Sequence, residues 1–343
     1  MTQKPRDTDI PAVEYLDSRS AQGPAGSLEE LHKRLLLAPP YRWVSQAIIR
    51  SGLSARGILI ATPYLWLLLF FLAPFLIVLK ISFSEYAIAQ PPYTALFAWV
   101  DDVFIQIRLN LENYQLLFED DLYWRAYLNS VKIAGISTFL TLLVGYPLAY
   151  GMTRAPRHWR LALLMLVILP FWTSFLIRVY AWIGILKKEG LLNLLLLNLG
   201  VIDQPLVIMN TDTAVYIGII YSYLPFMVLP LYASLEKMDD SLLEAAADLG
   251  CRPIKAFWQI TFPISIYGVI AGCFLVFIPA LGEFVIPDLL GGSGTLMIGK
   301  TLWAEFFSNR DWPLSSAVAV VLLLILVVPI VAFQKMQEKD KTA

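Results

Sequence analysis

Two ionisable side chains stand inside otherwise apolar runs of membrane length: Glu283 in PALGEFVIP and Arg178 in FLIRVYAW. A charge in hydrocarbon costs about 3 kcal/mol or more, so such a group normally faces a bundle interior or a water-filled cavity. Glu283 lies between Pro279 and Pro287, four residues away on either side. Each proline removes a backbone donor from the helix, and the freed carbonyls are then available to line a cavity. A carboxylate beside turned-in carbonyls suits an alkylammonium ion, and aromatic faces add cation–π attraction. Tyr223, two residues before Pro225, and Trp172 are the aromatics expected to share that path. Two roles for Glu283 stay open at this point. It lines a cation path, or it sits near the outer surface, solvated or paired with Arg178. Arg178 itself reads as an outer-leaflet arginine that snorkels or pairs with an acid.

Little else in the chain could do chemistry. There is no G-x-x-x-x-G-K-[ST] phosphate loop, no H-E-x-x-H and no G-x-S-x-G. The two histidines, His32 and His158, and the two cysteines, Cys251 and Cys273, have no metal-ligand spacing. The expectation is a chain without catalytic residues, metal or bound cofactor, driven by energy supplied from another subunit.

The elements that would transmit that energy centre on Leu235–Pro263, LEKMDDSLLEAAADLGCRPIKAFWQITFP, the longest charged interruption of the apolar second half. Ser241 and Glu244 have the S-x-x-E spacing of a capping box, which predicts a helix starting at Ser241. Ala245, Ala246 and Ala247 favour its continuation. Gly250 suits the left-handed position that ends a helix, and Pro253 suits the first turn of the next. Pro263 is expected to close that second helix.

The order Glu244-Ala245-Ala246, Gly250, Ile260, Pro263 resembles the EAA loop of ABC-importer permeases, with Phe262 where the family usually has leucine. The resemblance runs from about Gly57 to Lys335. LPFWTSFLIRVYAWIGIL, YLPFMVLPLY and PALGEFVIPDLLGG resemble the putrescine/spermidine permeases in particular. It implies an all-α, polytopic permease of six transmembrane helices that moves a polyamine by alternating access, putrescine ahead of spermidine. It also implies two copies of a partner ATPase that carry ATP and Mg, with Glu244, Ala245, Ala246, Gly250, Ile260 and Pro263 of this chain's loop docking in a groove of the ATPase. The other implied partners are a second homologous permease and a periplasmic polyamine-binding protein. A same-superfamily permease for iron, thiamine or sulfate is the alternative, followed by a non-ABC channel or scaffold.

Composition points the same way. The 343 residues are 58% hydrophobic and only 15% charged, with a net charge of −1. A soluble domain is nearer a quarter charged, so this chain's solvent is the bilayer, and nucleic acid is not an expected partner. Six stretches can cross hydrocarbon at about 20 residues each: Ile58–Leu79, Ile133–Met152, Leu161–Leu186, Ala214–Leu235, Ile264–Pro287 and Leu314–Phe333. LLNLLLLNL (191–199) is too short and reads as interfacial or re-entrant. The expected organisation is a cytoplasmic tail and membrane-surface helix (1–57), a permease domain (58–335, coupling loop 236–263) and a cytoplasmic tail (336–343). No apolar run of signal-peptide type occupies the first thirty residues.

Basic residues set the orientation. Eight precede the first span, and the short loop TRAPRHWR holds Arg154, Arg157 and Arg160 without an acid. Both termini and the EAA-like loop are therefore expected in the cytoplasm of a multi-pass inner-membrane protein. The loop at 80–132 then faces outward with its acids, Glu85, Asp101, Asp102, Glu112, Glu119, Asp120 and Asp121 among them.

Overall fold

The computed structural model describes residues 55–100, 104–107 and 109–342. The expected tail and membrane-surface helix before residue 55 lie outside the described residues. The first apolar segment is helical throughout. It comprises α1 (Ala55–Leu67), a wider π turn at Leu68–Leu72 and α2 (Ala73–Ser82). The described residues up to Phe75 belong to a compact unit of their own. Leu65 to Phe71 are all exposed, as suits a surface whose solvent is lipid.

The remainder, from Leu76, is built around three long helices: α4 (Asp121–Arg154), α8 (Asp212–Leu235) and α11 (Phe262–Leu281). Lipid offers no hydrophobic drive between helices, so close backbone approach through small residues is what packs them. Gly268 on α11 is such a point. A Cβ there would meet Ser234 Cβ at 2.6 Å and the Pro230 carbonyl oxygen at 2.8 Å on α8. Met227 fills the space left by Gly145 on α4 and Gly272 on α11. Toward one end of the bundle, Tyr146, Leu231, Leu235 and Val269 form a buried cluster; toward the other, Ile133, Val215, Ile219, Ile286 and Leu290 form a second.

The shorter elements are α3 (Glu112–Glu119), α5 (Arg157–Ile168), α6 (Phe175–Leu186) and α7 (Leu191–Asn198). After α8 come α9 (Ser241–Asp248) and α10 (Pro253–Ala256), and after α11 come α12 (Val285–Leu289) and α13 (Ile298–Trp303). The last helix, α14 (Trp312–Thr342), runs to the end of the described chain. The all-α expectation has one small exception. Strands β1 (Phe97–Val100) and β2 (Phe104–Ile107) pair antiparallel, Phe97 opposite Ile107. FAWV and FIQI are rich in the aromatic and β-branched types that suit a strand.

All six apolar segments are helical, but only four are single unbroken spans: Leu59–Ser82, Asp121–Arg154, Asp212–Leu235 and Pro253–Leu281. The third expected span is broken. Arg157–Trp172 and Phe175–Asn198 meet at 91°. The break follows Pro170, which sits in a 3-10 turn (Leu169–Trp172) whose carbonyl accepts from both the amide and the hydroxyl of Thr173. The fifth also ends early, at Leu281, because Gly282–Phe284 is non-helical before α12 begins. The sixth is the apolar start of α14, Trp312–Val328.

Candidate functional site

Glu283 lies in the non-helical break between α11 and α12, buried, at 8% exposure. Its Oε1 accepts from the amides of Phe284 (3.2 Å), Val285 (3.0 Å) and Ile286 (3.4 Å), the first donors of α12. Its Oε2 accepts from the hydroxyl of Tyr223 on α8. The carboxylate is therefore bound on one side as the cap of a helix start and on the other by a phenol. At the break, the carbonyls of Gly282 and Glu283 lie against Gly299, where a Cβ would come within 2.4 Å and 2.6 Å of their oxygens.

Two expectations about the surroundings are corrected. Trp172 is 81% exposed and is not brought to Glu283. The neighbouring Phe171, although still 36% exposed, meets Phe226 edge-on at 5.2 Å, and Phe226 lies 6.1 Å from Tyr223. Residues 169–172 form a 3-10 turn, so an α-helical phase assigns the wrong aromatic. Arg178 neither snorkels nor pairs with Glu283. It is buried, its guanidinium 4.9 Å from the centre of the Phe171 ring and 5.7 Å from that of Phe175. Its Nε and Nη1 have no hydrogen-bond partner among the described residues. Phe171 and Phe226 directly follow Pro170 and Pro225, the one sequence signal that marks them, whereas Phe175 carries no such mark.

The EAA-like loop, 236–263, lies at the opposite end of the bundle. Helix α9 ends as expected: Gly250 has φ +75°, its amide donates to the Ala247 carbonyl (2.8 Å), and the Cys251 amide donates to that of Ala246 (2.9 Å). That pair of bonds is a Schellman motif, and its left-handed residue favours glycine. The start differs from the capping box. Ser241 is already helical, and its amide donates to Asp239 Oδ1 at 3.0 Å, while Glu244 is exposed, its amide donating to the Asp240 carbonyl (3.2 Å) and its side chain making no hydrogen bond among the described residues. Asp239 precedes Ser241 by two residues, the reach of an Asx turn, and so displaces the cap outward. The Ser241 amide holds the Asp239 carboxyl below its usual range.

The second correction in the loop concerns Pro263. It does not close a helix. The chain runs from Pro253 through a π turn (Phe257–Thr261) into α11, and the wider turn accommodates a proline that cannot donate. Ile260 is half-buried in that turn, Pro263 is exposed, Ala246 is buried and Ala245 exposed. Arg154 at the end of α4 pairs with Asp240 (2.7 Å) and sits 5.3 Å from the centre of the Tyr150 ring. The arginine loop and the EAA-like loop thus share one face. A cavity of about 220 Å³ between Tyr150, Leu243, Ala247, Pro253, Phe257 and Thr261 opens beside them. Leu249 and Ile254, which flank the turn, are 87% and 78% exposed.

Residues 53–341 match the family of the binding-protein-dependent transport system inner membrane component. The chain belongs to this family of ABC-importer permeases. It is similar to the spermidine/putrescine transport system permease protein of Haemophilus influenzae, 40% identical over 280 residues, covering 82% of this chain and 93% of that one. The corresponding Escherichia coli protein is 41% identical over 268 residues, 78% of this chain and 92% of the relative. Among solved structures, the bacterial alginate ABC transporter in complex with its pentasaccharide-bound periplasmic protein shares the fold. The TM-score is 0.64 at 16% identity, over 86% of this chain and 96% of that one. As a member of the family, the chain is a multi-pass inner-membrane permease subunit and not itself an enzyme.

Proposed function

We propose that this permease imports polyamine, with putrescine ahead of spermidine, delivered by a periplasmic polyamine-binding protein. The observation that carries the reading is 40% identity across 82% of the chain to a permease named for those two solutes. The Glu283–Tyr223 pair supports it chemically. A diammonium ion leaving water needs oxygen partners, and a buried carboxylate beside aromatic rings supplies them. Alternating access would let that carboxylate meet the substrate from one side and release it to the other.

In this reading both termini and the coupling loop are cytoplasmic. Glu244, Ala245, Ala246, Gly250, Ile260 and Pro263 belong to the surface on which a separate ATPase docks. Two copies of that ATPase bind ATP and Mg, and a second homologous permease completes the membrane unit. The exposed apolar pair Leu249 and Ile254 fits a surface that a partner covers.

The test is uptake of labelled putrescine and spermidine by the reconstituted complex, with and without the binding protein. Iron, thiamine and sulfate serve as competing solutes. Uptake dependent on the binding protein, and competed by polyamines alone, is expected. Competition by one of the other three solutes would overturn the substrate. Topology is tested by Ser241→Cys, which should react only with reagents admitted to the cytoplasm, and Ser293→Cys, which should react from outside.

A further inference from the structure

The face opposite the coupling loop carries a second concave site. Helix α4 spans the bundle: Arg154 at one end holds Asp240, and Tyr123 at the other donates to Glu305 at 2.9 Å. Beside Glu305 is a cavity of about 570 Å³, lined by the turn Ala89–Pro92 together with Phe306, Phe307, Arg310 and Trp312. We propose that this cavity is the landing site of the substrate-binding protein and receives an acidic side chain of that partner on Arg310. The inference rests on the reading of the chain as a binding-protein-dependent importer of polyamine.

Arg310 is the first reason. Its φ is +54°, in the left-handed region where an L side chain is disfavoured and glycine or asparagine is usual. Its guanidinium is exposed and makes no hydrogen bond or ion pair among the described residues. The nearby acids are already engaged. Glu305 is buried and accepts from Tyr123 and Asn309, and Asp311 accepts from the Leu314 amide. A backbone that asks for glycine has an arginine whose charge serves no fold contact. Such an outlier points from geometry to function.

The floor of the cavity is the second reason. Phe306 stacks on Trp312, with ring centres 5.1 Å apart and planes 4° from parallel, and Trp312 lies 6.2 Å from Tyr93. Rigid aromatics beside an arginine are the composition of interface hot spots. Among the described residues, Arg310 is the only charged group lining the cavity, so the complementary ligand is a carboxylate with an apolar flank. A diammonium substrate would be repelled there.

The third reason is where the aromatic stack leads. Phe306 contacts Phe307 (4.9 Å), Phe307 contacts Trp303 (4.0 Å), and Trp303 stacks on Phe284 at 4.3 Å and 9°. Phe284 is the residue after Glu283. A partner seated on Arg310 therefore touches the outer end of a continuous ring stack whose inner end adjoins the candidate substrate site.

The experiment uses the complete complex in nanodiscs, with ATPase activity titrated against the spermidine-loaded binding protein. Arg310→Glu is expected to raise the half-saturating concentration at least tenfold, and Arg310→Gly to raise it while leaving or improving thermal stability, since glycine relaxes the backbone. A lysine scan of the acids on the binding protein's surface should find one substitution that restores affinity to Arg310→Glu. An unchanged half-saturating concentration in Arg310→Glu overturns the site. So does a defect that depends on anionic lipid in the nanodisc rather than on the binding protein. If the unaltered complex is not stimulated by that protein at all, it is the polyamine reading that fails.

Discussion

Tyr223 on α8 donates its hydroxyl to Glu283 in the break after α11, joining two apolar spans through a buried pair of polar groups. Glu283 is held on its other side by the amides of Phe284, Val285 and Ile286, so backbone donors at the start of α12 set its position. A hydrogen bond to a charged group is worth about 1.5–3 kcal/mol, or roughly ten- to a hundredfold in an equilibrium. Glu283→Gln keeps the cap acceptor and removes the charge. We expect polyamine uptake to fall at least tenfold with assembly intact; Tyr223→Phe should lower it less. Wild-type uptake by Glu283→Gln, measured at equal expression, would make the carboxylate purely structural.

Gly250 has open space around the position of a Cβ, so only its backbone conformation constrains it. Gly250→Ala should cost about 1 kcal/mol locally, and Gly250→Asn less, because asparagine tolerates the left-handed region. Gly250→Asp adds a charge to the exposed turn. Normal membrane insertion with loss of transport and of substrate-stimulated ATPase activity is expected; undiminished uptake would remove the turn from coupling.

The Arg154–Asp240 pair fixes the start of the coupling loop to the end of α4, although both side chains retain solvent contact. An exposed pair contributes about 0–1 kcal/mol, so thermal stability should barely change when it is broken. Its role is positional. Arg154→Glu and Asp240→Lys should each weaken substrate-stimulated ATPase activity, and the double reversal should recover most of it. Additive losses in the double variant would count against a latch.

Asp311 gives a pH signature. Burial, opposed by the Leu314 amide and aided by the nearby Glu305, raises its carboxyl above the usual range. An acid whose folded pKa is raised destabilises the folded state once pH exceeds the unfolded value, about 3.9, with the full effect above the folded value. Asp311→Asn retains an acceptor for the Leu314 amide and removes the charge. Its melting temperature should exceed that of the parent at neutral pH, and the gain should vanish below about pH 4. An equal gain at both pH values would mean that charge is not the cause.

Gly268 tests the packing of α8 against α11. A Cβ there meets Ser234 and the Pro230 carbonyl well inside contact distance, and neither is the end of a flexible side chain. Gly268→Val should destabilise the bundle by at least the 1–3 kcal/mol typical of overpacking. Reduced yield of folded permease in detergent is the expected readout, and wild-type yield would show that the helices can part there at little cost.

The sequence alone fixed what depends on local chemistry and on the solvent. Apolar length and scarce charge placed six helical segments in a bilayer. Gly250 marked the turn after α9 because only a residue lacking Cβ adopts that backbone easily. The spacing from Glu244 to Pro263 marked the EAA-like loop, and Glu283 stood out because a carboxylate in an apolar run needs partners. Tertiary structure decided the phase of each element and who those partners are. Pro170 and Pro263 look alike in sequence, yet one lies in a 3-10 turn just before a 91° break and the other lies in a continuous helix behind a π turn. At the first, Phe171 rather than Trp172 meets Phe226. Asp239 displaced Ser241 as the cap because a carboxylate two residues earlier reaches the same amide. Arg178 was buried between phenylalanine rings instead of meeting Glu283, whose charge was already satisfied by Tyr223 and three amides. Such choices depend on which groups arrive together in space, and neither composition nor spacing encodes that.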